Sequence, residues 1–307
     1  MIQGIRTYLD LSSFPPPDVI ETLDFETIYD ESTASFIAYW KARQQEDSSL
    51  PGFTAQSLES EPIAAIFQTF AYREMLLRAR VNDAARARLV AFALGADLDH
   101  VGLTFGVARM EIEPATATTA AVMESPERYR QRIVLGVFAY SSAGSIESYL
   151  FHALTASPDV KDAAVDNPHT NRVDVTILSY DGEGTASQDL LIAVATALSP
   201  ETSRPLTDDV RLRSATVISQ NVRVRLVLSS GPAPEPITAL ARTKIAEYCA
   251  SRHKIGRALR VDGIIGAARA AGDIEQVIVD EPLFDVVPTK SGAVFVPTVT
   301  VTAEIIT

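Results

Sequence analysis

Cysteine is almost absent from this chain. Cys249 is the single one in 307 residues, so no intramolecular disulfide can form and a cytoplasmic folding compartment is the expectation. Histidine is scarce too. His100, His152, His169 and His253 are scattered, and none has a second His or Cys at ligand spacing, so no metal site is expected. No apolar run reaches the roughly 18 residues of a membrane span. The N-terminus MIQGIRTYLDLSSFPPPD lacks the charged-then-apolar order of a secretory signal. Basic residues fall short of acidic ones, 27 against 39, giving a formal net charge of -12. That balance argues against sequence-independent binding to nucleic acid or to an anionic membrane. The GxxxxGK[ST], post-strand GxGxxG, HExxH and GxSxG patterns are all missing, and neither a cofactor nor a small-molecule ligand is expected.

What is present is a globular composition, 47% hydrophobic and 21% charged, with enough chain for two or three domains. Residues 1–17 end in Pro15-Pro16-Pro17 and read as an extended arm. A helix is predicted from Asp18, its N-cap, to Arg43. Its first half holds six acids and no base, and its apolar positions include Leu23, Phe25, Ile28, Phe36 and Trp40. After a polar loop, Pro62 opens a helix predicted to run unbroken to Leu94, about 50 Å at roughly 1.5 Å per residue. Ile63, Phe67, Phe70, Leu77 and Val81 belong to its apolar stripe, and its polar side is rich in arginine. An antiparallel hairpin with opposed charges accounts for part of this pattern. Two helices alone do not easily cover so wide an apolar surface, so these ten residues are the expected interface with helices of other chains.

Downstream the texture changes. GADLDHVGLTFGVAR (95–109) reads as a compact glycine-punctuated loop, and short strand-like stretches follow in 110–124. Ser125-Pro126-Glu127 has the cap, first-turn proline and first-turn acid of a helix running to about Tyr140, and Ser145 caps the next. Three rounds of helix, strand, strand then succeed one another. The expected fold class is α+β: a long-helix arm that forms a bundle with partner chains, then two small α/β domains with mostly antiparallel sheets. The expected parts are an arm at 1–17, a bundle-forming region at 18–110, a central domain at 111–218 and a C-terminal domain at 219–307, divided near Ser219.

Each candidate for chemistry has a plainer structural explanation. Glu59 and Glu61 flank a helix start, where carboxylates suit the helix dipole. Asp181-Gly-Glu183-Gly fits a tight turn better than a calcium loop, which needs further carboxylates. Cys249 fits buried packing. Arg211, Arg213, Arg223 and Arg225 alternate along two strands and should point away from the core, onto solvent or an acidic protein partner. No catalytic residue is assigned.

Several stretches, taken together and in order, resemble the baseplate J-like family. They are LESEPI (58–63), AYREMLLRARVNDAARA (71–87), GADLDHVGLTFGVAR (95–109), MESPERYRQRIVLGVFAYSSAGSIESY (123–149), DGEGTASQDLL (181–191) and HKIGRALRV (253–261). The likeness runs from about Asp10 to near the C-terminus. Gly95, Asp97, Leu98, Asp99, Gly102, Gly106 and Arg109 match the family's loop, and Tyr129, Arg130 and Arg132 its following helix; the roles implied are structural.

The resemblance implies a structural wedge subunit of a contractile tail baseplate, assembled in the host bacterial cytoplasm. A second copy and a different wedge protein would join it through the N-terminal helices. The α/β domains would close a ring around the central hub, with a sheath-initiator or hub protein as a further partner. Two alternatives stand beside this one: an α/β enzyme with a helical appendage, using Glu59, Glu61 or His253, and an acidic assembly chaperone absent from the finished particle.

Overall fold

The computed structural model describes residues 15–52, 62–139, 144–169, 171–199, 208–229 and 234–305. The chain divides into two compact units, one covering Leu9–Thr104 and the other Phe105–Thr307.

In the first unit, helix α1 spans Phe25–Glu46 and α2 spans Pro62–Ala87. The N-cap of α1 is Asp24, whose carboxylate accepts from the Thr27 N–H at 2.9 Å, and not Asp18 as expected. The physical reason lies at Glu21. Its N–H and C=O are both taken by the Asn82 side chain, at 3.1 and 2.9 Å, so its carbonyl is already engaged and does not continue a helical ladder. At the other end α1 runs past Arg43 to Glu46.

The expected continuous helix to Leu94 is also corrected. α2 has 26 residues, about 39 Å. Beyond Ala87 the chain tightens into turns, with Arg88 N–H donating to Ala85 O, Leu89 N–H to Arg86 O and Phe92 N–H to Leu89 O. No glycine or proline forces this. The turns carry Ala93 to a position only 1% exposed, so packing overrides helix propensity here. The segment expected as a loop is itself mostly helical: α3 spans Gly95–Thr104, with Asp97 in its first turn and Leu98 fully buried. Gly95 has the expected left-handed backbone (φ 52°), yet it opens α3 rather than closing α2.

In the second unit a two-stranded ribbon, β1 (Glu111–Glu113) with β2 (Val122–Met123), precedes α4 (Pro126–Gly136) and α5 (Ile146–Ala156). Both helices start as expected, Ser125 Oγ accepting from Arg128 N–H and Ser145 Oγ from Ser148 N–H. α4 stops short of the predicted end at Tyr140, which lies outside the described residues. Then come β3 (Val160–His169), β4 (Arg172–Ser179), α6 (Gln188–Leu198), β5 (Asp209–Ser214), β6 (Thr216–Ser219) and β7 (Val222–Leu228). The chain continues through α7 (Pro234–Arg252), α8 (Val261–Arg269), β8 (Gln276–Glu281), β9 (Gly292–Phe295) and β10 (Val299–Ile305).

Two three-stranded sheets result, ordered β3-β4-β5 and β10-β7-β8. The expected mostly antiparallel pairing is corrected. β3–β4 and β7–β8 are antiparallel, but β4–β5, β7–β10 and β6–β9 are parallel. The cause is visible in the order of elements. α6 lies between β4 and β5, and a helical crossover returns the chain to run alongside its start. Each middle strand is the most buried: β4 is covered on both faces from Val173 to Ser179, and β7 buries Val222, Val224, Leu226 and Leu228. Those β7 side chains pack in one core with Ala241, Ile245 and Cys249 of α7 and Ile264 of α8. β5 runs on into β6 through Ala215, so one stretch serves the central sheet and then pairs with β9 near the C-terminus.

Candidate assembly surfaces

α1 and α2 run antiparallel, since Glu21 meets Asn82, Arg78 lies 3.9 Å from Glu31, and the Phe36 and Phe67 rings meet edge-on at 5.1 Å. Ala64 and Ala71 are 1% and 0% exposed, and Asn82 on the same face is buried with them. The opposed charges of the hairpin converge on Arg78, which donates to Glu74 at 2.6 Å with Glu21 at 3.6 Å; these carboxylates raise its pKa, the hydrogen bond to Glu74 first.

The ten expected interface residues divide between two faces. Ile28 is buried, Phe36 and Phe67 pack on each other, and the Trp40 indole donates to Pro51 O at 3.0 Å, so these serve the hairpin itself. Leu23, Phe25 and Ile63 are half-buried. Phe70, Leu77 and Val81 are different, at 62%, 69% and 60% exposed, and Ile66 joins them at 53%. At 3.6 residues per turn these four lie on one side of α2, roughly a third of a turn from the Ala64–Ala71–Asn82 face. The stripe read as continuous in the sequence is therefore two stripes, and one is open.

The motif residues on α3 have mixed settings. Leu98 and Gly102 are buried, while Asp97 is exposed. Asp99 is half-buried. In the second unit, Gly106 has φ 71°, and the chain leaving it is held by α4. Tyr129 Oη donates to Val107 O at 2.8 Å, Arg132 Nη1 donates to Ala108 O at 3.2 Å, and the Arg109 guanidinium lies 5.1 Å from the Tyr129 ring centre. Arg130 faces Glu127 at 3.7 Å.

Two residues that sequence reasoning left out prove central here. Glu124 is 1% exposed and accepts from Arg128 Nη1 at 2.6 Å, from Arg132 Nη1 and from Met110 N–H at 2.9 Å. Arg128, 6% exposed, also donates to Leu154 O at 2.8 Å and Ser157 O at 2.9 Å. One carboxylate thus serves two buried guanidiniums, and burial pulls the Arg132 pKa below its usual range. The signal was the spacing: Glu124, Arg128 and Arg132 fall four apart and so share one face of α4 and its cap.

The arginine strands point outward as expected, but their counter-charges come from the chain itself. Arg211 meets Asp209, Arg213 meets Asp174, and Arg223 meets Glu281. Arg225 bridges Asp280 at 2.8 Å and Glu304 at 3.2 Å. No external acidic partner is needed to balance this face.

A second polar cluster joins the central and C-terminal sheets. β3 carries a bulge, with Val160 opposite Ser179 but Asp162 opposite Leu178, so Lys161 is the extra residue. Lys161 Nζ lies 2.8 Å from His253 Nδ1, and Asp162 accepts from Ile255 N–H at 2.9 Å. Burial, then Lys161, lowers the His253 pKa to about 4, and burial raises Asp162 to about 6. His253 is 5% exposed and its ring faces Phe295, which gives it the setting of a packed side chain. Burial likewise raises the Cys249 thiol to about 11, leaving it protonated and unreactive at neutral pH. Glu59 and Glu61 lie outside the described residues. Among the described residues no three His, Cys, Asp or Glu side chains gather where they could hold a metal ion, and no helix is long and apolar enough to cross a membrane.

Comparison with known proteins adds three matches. Residues 59–116 match the baseplate J-like N-terminal domain, and residues 141–214 match the baseplate J-like central domain. Baseplate protein J of Escherichia phage P2 is 38% identical over 291 residues, covering 94% of this chain and 95% of that protein.

Proposed function

Because the chain belongs to the baseplate J-like family, we propose that it is a structural subunit of a contractile tail baseplate, a wedge component that acts by assembly and not by chemistry. The near full-length match to baseplate protein J carries this reading. The open stripe of α2 supports the mode of assembly. Monomeric proteins rarely leave several large apolar side chains aligned on one helix, and such a surface favours association.

In this reading α1 and α2 join helices of a second copy and of a different wedge protein. The unit Phe105–Thr307 contacts neighbours and closes a ring around the hub, with a sheath-initiator or hub protein seated against it. The arm at 1–17, the helical region at 18–110 and the α/β parts at 111–218 and 219–307 are the proposed working divisions. The mature protein resides in the baseplate of the particle, after assembly in the bacterial host. The extensively bonded polar joints, Glu124 with its two arginines and the Lys161–Asp162 bulge with the turn after α7, suit a part that must transmit force without deforming.

The test is a paired substitution, Phe70→Asp with Leu77→Asp, in the full chain. Both side chains are already exposed, so the fold should persist by circular dichroism, while co-purification with the partner subunit and incorporation into tail particles should be abolished. Normal incorporation of the folded double variant would remove the α2 stripe from the interface.

A further inference from the structure

The turn that follows α7 is held by β3 through an irregularity in that strand. Consecutive side chains of a regular strand face opposite sides of its sheet. Lys161 and Asp162 are consecutive, yet both reach the same turn. Lys161 Nζ lies 2.8 Å from His253 Nδ1, and Asp162 accepts from Ile255 N–H at 2.9 Å. The bulge that leaves Lys161 without a partner position on β4 permits this, because an extra residue re-aims the side chains of a strand. The turn between β4 and α6 closes on the same place. A Cβ on Gly184 would lie 2.9 Å from His253 Nε2, so the glycine lets the imidazole pack against the chain there. Ser219 Oγ donates to the neighbouring Glu183 at 3.0 Å.

The other links between the two sheets are slight. β6 and β9 pair only from Thr216–Gly292 to Ser219–Phe295, and a two-stranded ribbon that short has little stability of its own. The apolar core at the junction is built on Leu178, Ala215 and Ala293, and its two alanines bury little area. Asp162 is a stronger tie. It is 4% exposed; burial works against its charge, while Ile255 N–H, Lys254 and Arg257 of the C-terminal part work for it. Hydrogen bonds to charged groups are the stronger class, and a buried acceptor stripped of its donor is costly. We propose that the Lys161–Asp162 bulge is a clasp that makes the two sheets one cooperative body. The sheets keep separate cores, but neither opens without the other. Force applied to one then reaches the other without bending near Ser219. The coupling belongs to the isolated chain and stands apart from any role in a particle.

Hydrogen–deuterium exchange of the full chain, read on peptides from β4 and β7, tests the coupling. Val175 is fully buried in the middle of β4. In the otherwise wild-type chain Val175→Ala should speed exchange in β4 and β7 by the same factor, about tenfold or more. In the background Lys161→Ala, Asp162→Ala the same substitution should speed β4 as before, while β7 stays within about twofold. Each comparison is between chains that differ only at Val175, so a general loss of stability in the clasp-free background cancels. If that background does not fold, Lys161→Ala alone takes its place. It removes the contact with His253 and keeps the bond from Ile255 N–H, and Val175→Ala should then act less on β7 than on β4. Two results would overturn the proposal. Unchanged exchange in β7 on Val175→Ala alone would show that the sheets are already independent. Equal effects on β4 and β7 in the background that lacks the clasp would place the coupling in β6, β9 and their small core.

Discussion

Replacing Glu124 by glutamine should destabilise the unit Phe105–Thr307 far more than any exposed ion pair does. The substitution keeps the size of the side chain, removes its charge and turns one accepting oxygen into an NH2 donor that faces an arginine or the Met110 N–H. That charge is the counterion for Arg128 and Arg132, which are 6% and 3% exposed. Left without it, two guanidiniums remain desolvated, and breaking a buried pair in this way costs about 3–5 kcal/mol. A domain stable by about 5–15 kcal/mol would lose a large fraction of its margin.

Glu127→Gln is the control. Its side chain is 78% exposed and lies 3.7 Å from Arg130, so its loss should cost under about 1 kcal/mol. Urea unfolding followed by amide exchange in α4 reads the effect directly. Trp40, the single tryptophan, sits in α1, so its fluorescence reports the other unit and should be unchanged in both variants. A Glu124→Gln variant within about 1 kcal/mol of wild type would refute the reasoning, because it would mean that water or relaxation compensates the buried guanidiniums.

The polar joint between the sheets gives two further expectations. Gly184 has φ 105°, and a Cβ there would sit 2.7 Å from Leu178 Cδ1 and 2.9 Å from His253 Nε2, whereas Gly182 (φ 54°) has open space around it. Gly184→Ala should therefore lower the urea midpoint clearly more than Gly182→Ala, which pays only the left-handed strain of about 1–2 kcal/mol; equal effects would contradict the placement of His253. The pH dependence has two opposed parts. The stability contributed by neutral His253 is complete above pH 6.5 and lost as pH falls through about 4. That contributed by protonated Asp162 is complete below pH 3.8 and lost as pH rises through about 6. Between pH 6 and 4 the two offset each other, so Asp162→Asn should make the melting temperature fall more steeply towards acid, and His253→Asn less steeply, than wild type. Parallel profiles for all three proteins would contradict both assignments.

Much of the second unit could be read from the sequence because its signals are local. Ser125, Ser145 and Ser187 each cap a helix with the side-chain bond their residue type predicts, and β7 lies where VRVRLVL alternates. Strand direction was less legible, since it depends on which strand a crossover returns to. The same limit applies to α2. Nothing local ends that helix at Ala87; the turns that follow it carry Ala93 and Leu98 to buried positions, and a periodicity argument does not see burial.

The apolar stripe shows a related ambiguity. Phe67 and Phe70 look equivalent in a periodicity argument, yet one packs on Phe36 and the other is 62% exposed, because only the position of α1 decides which face is covered. Asn82 and Glu124 were passed over for another reason. Their importance lies in burial and in partners that the fold supplies, Glu21 in one case and two arginines in the other, and the four-residue spacing of Glu124, Arg128 and Arg132 does not by itself say that the three are buried.

The central claim is that this polypeptide is a permanent part of a tail baseplate. Quantitative mass spectrometry of purified, mature tail particles tests it most directly. The account predicts this chain in every particle preparation, at a fixed ratio to the other baseplate proteins, and released with the baseplate when the tail is dissociated. Its presence in assembling cells but absence from mature particles would contradict the account and identify an assembly chaperone instead.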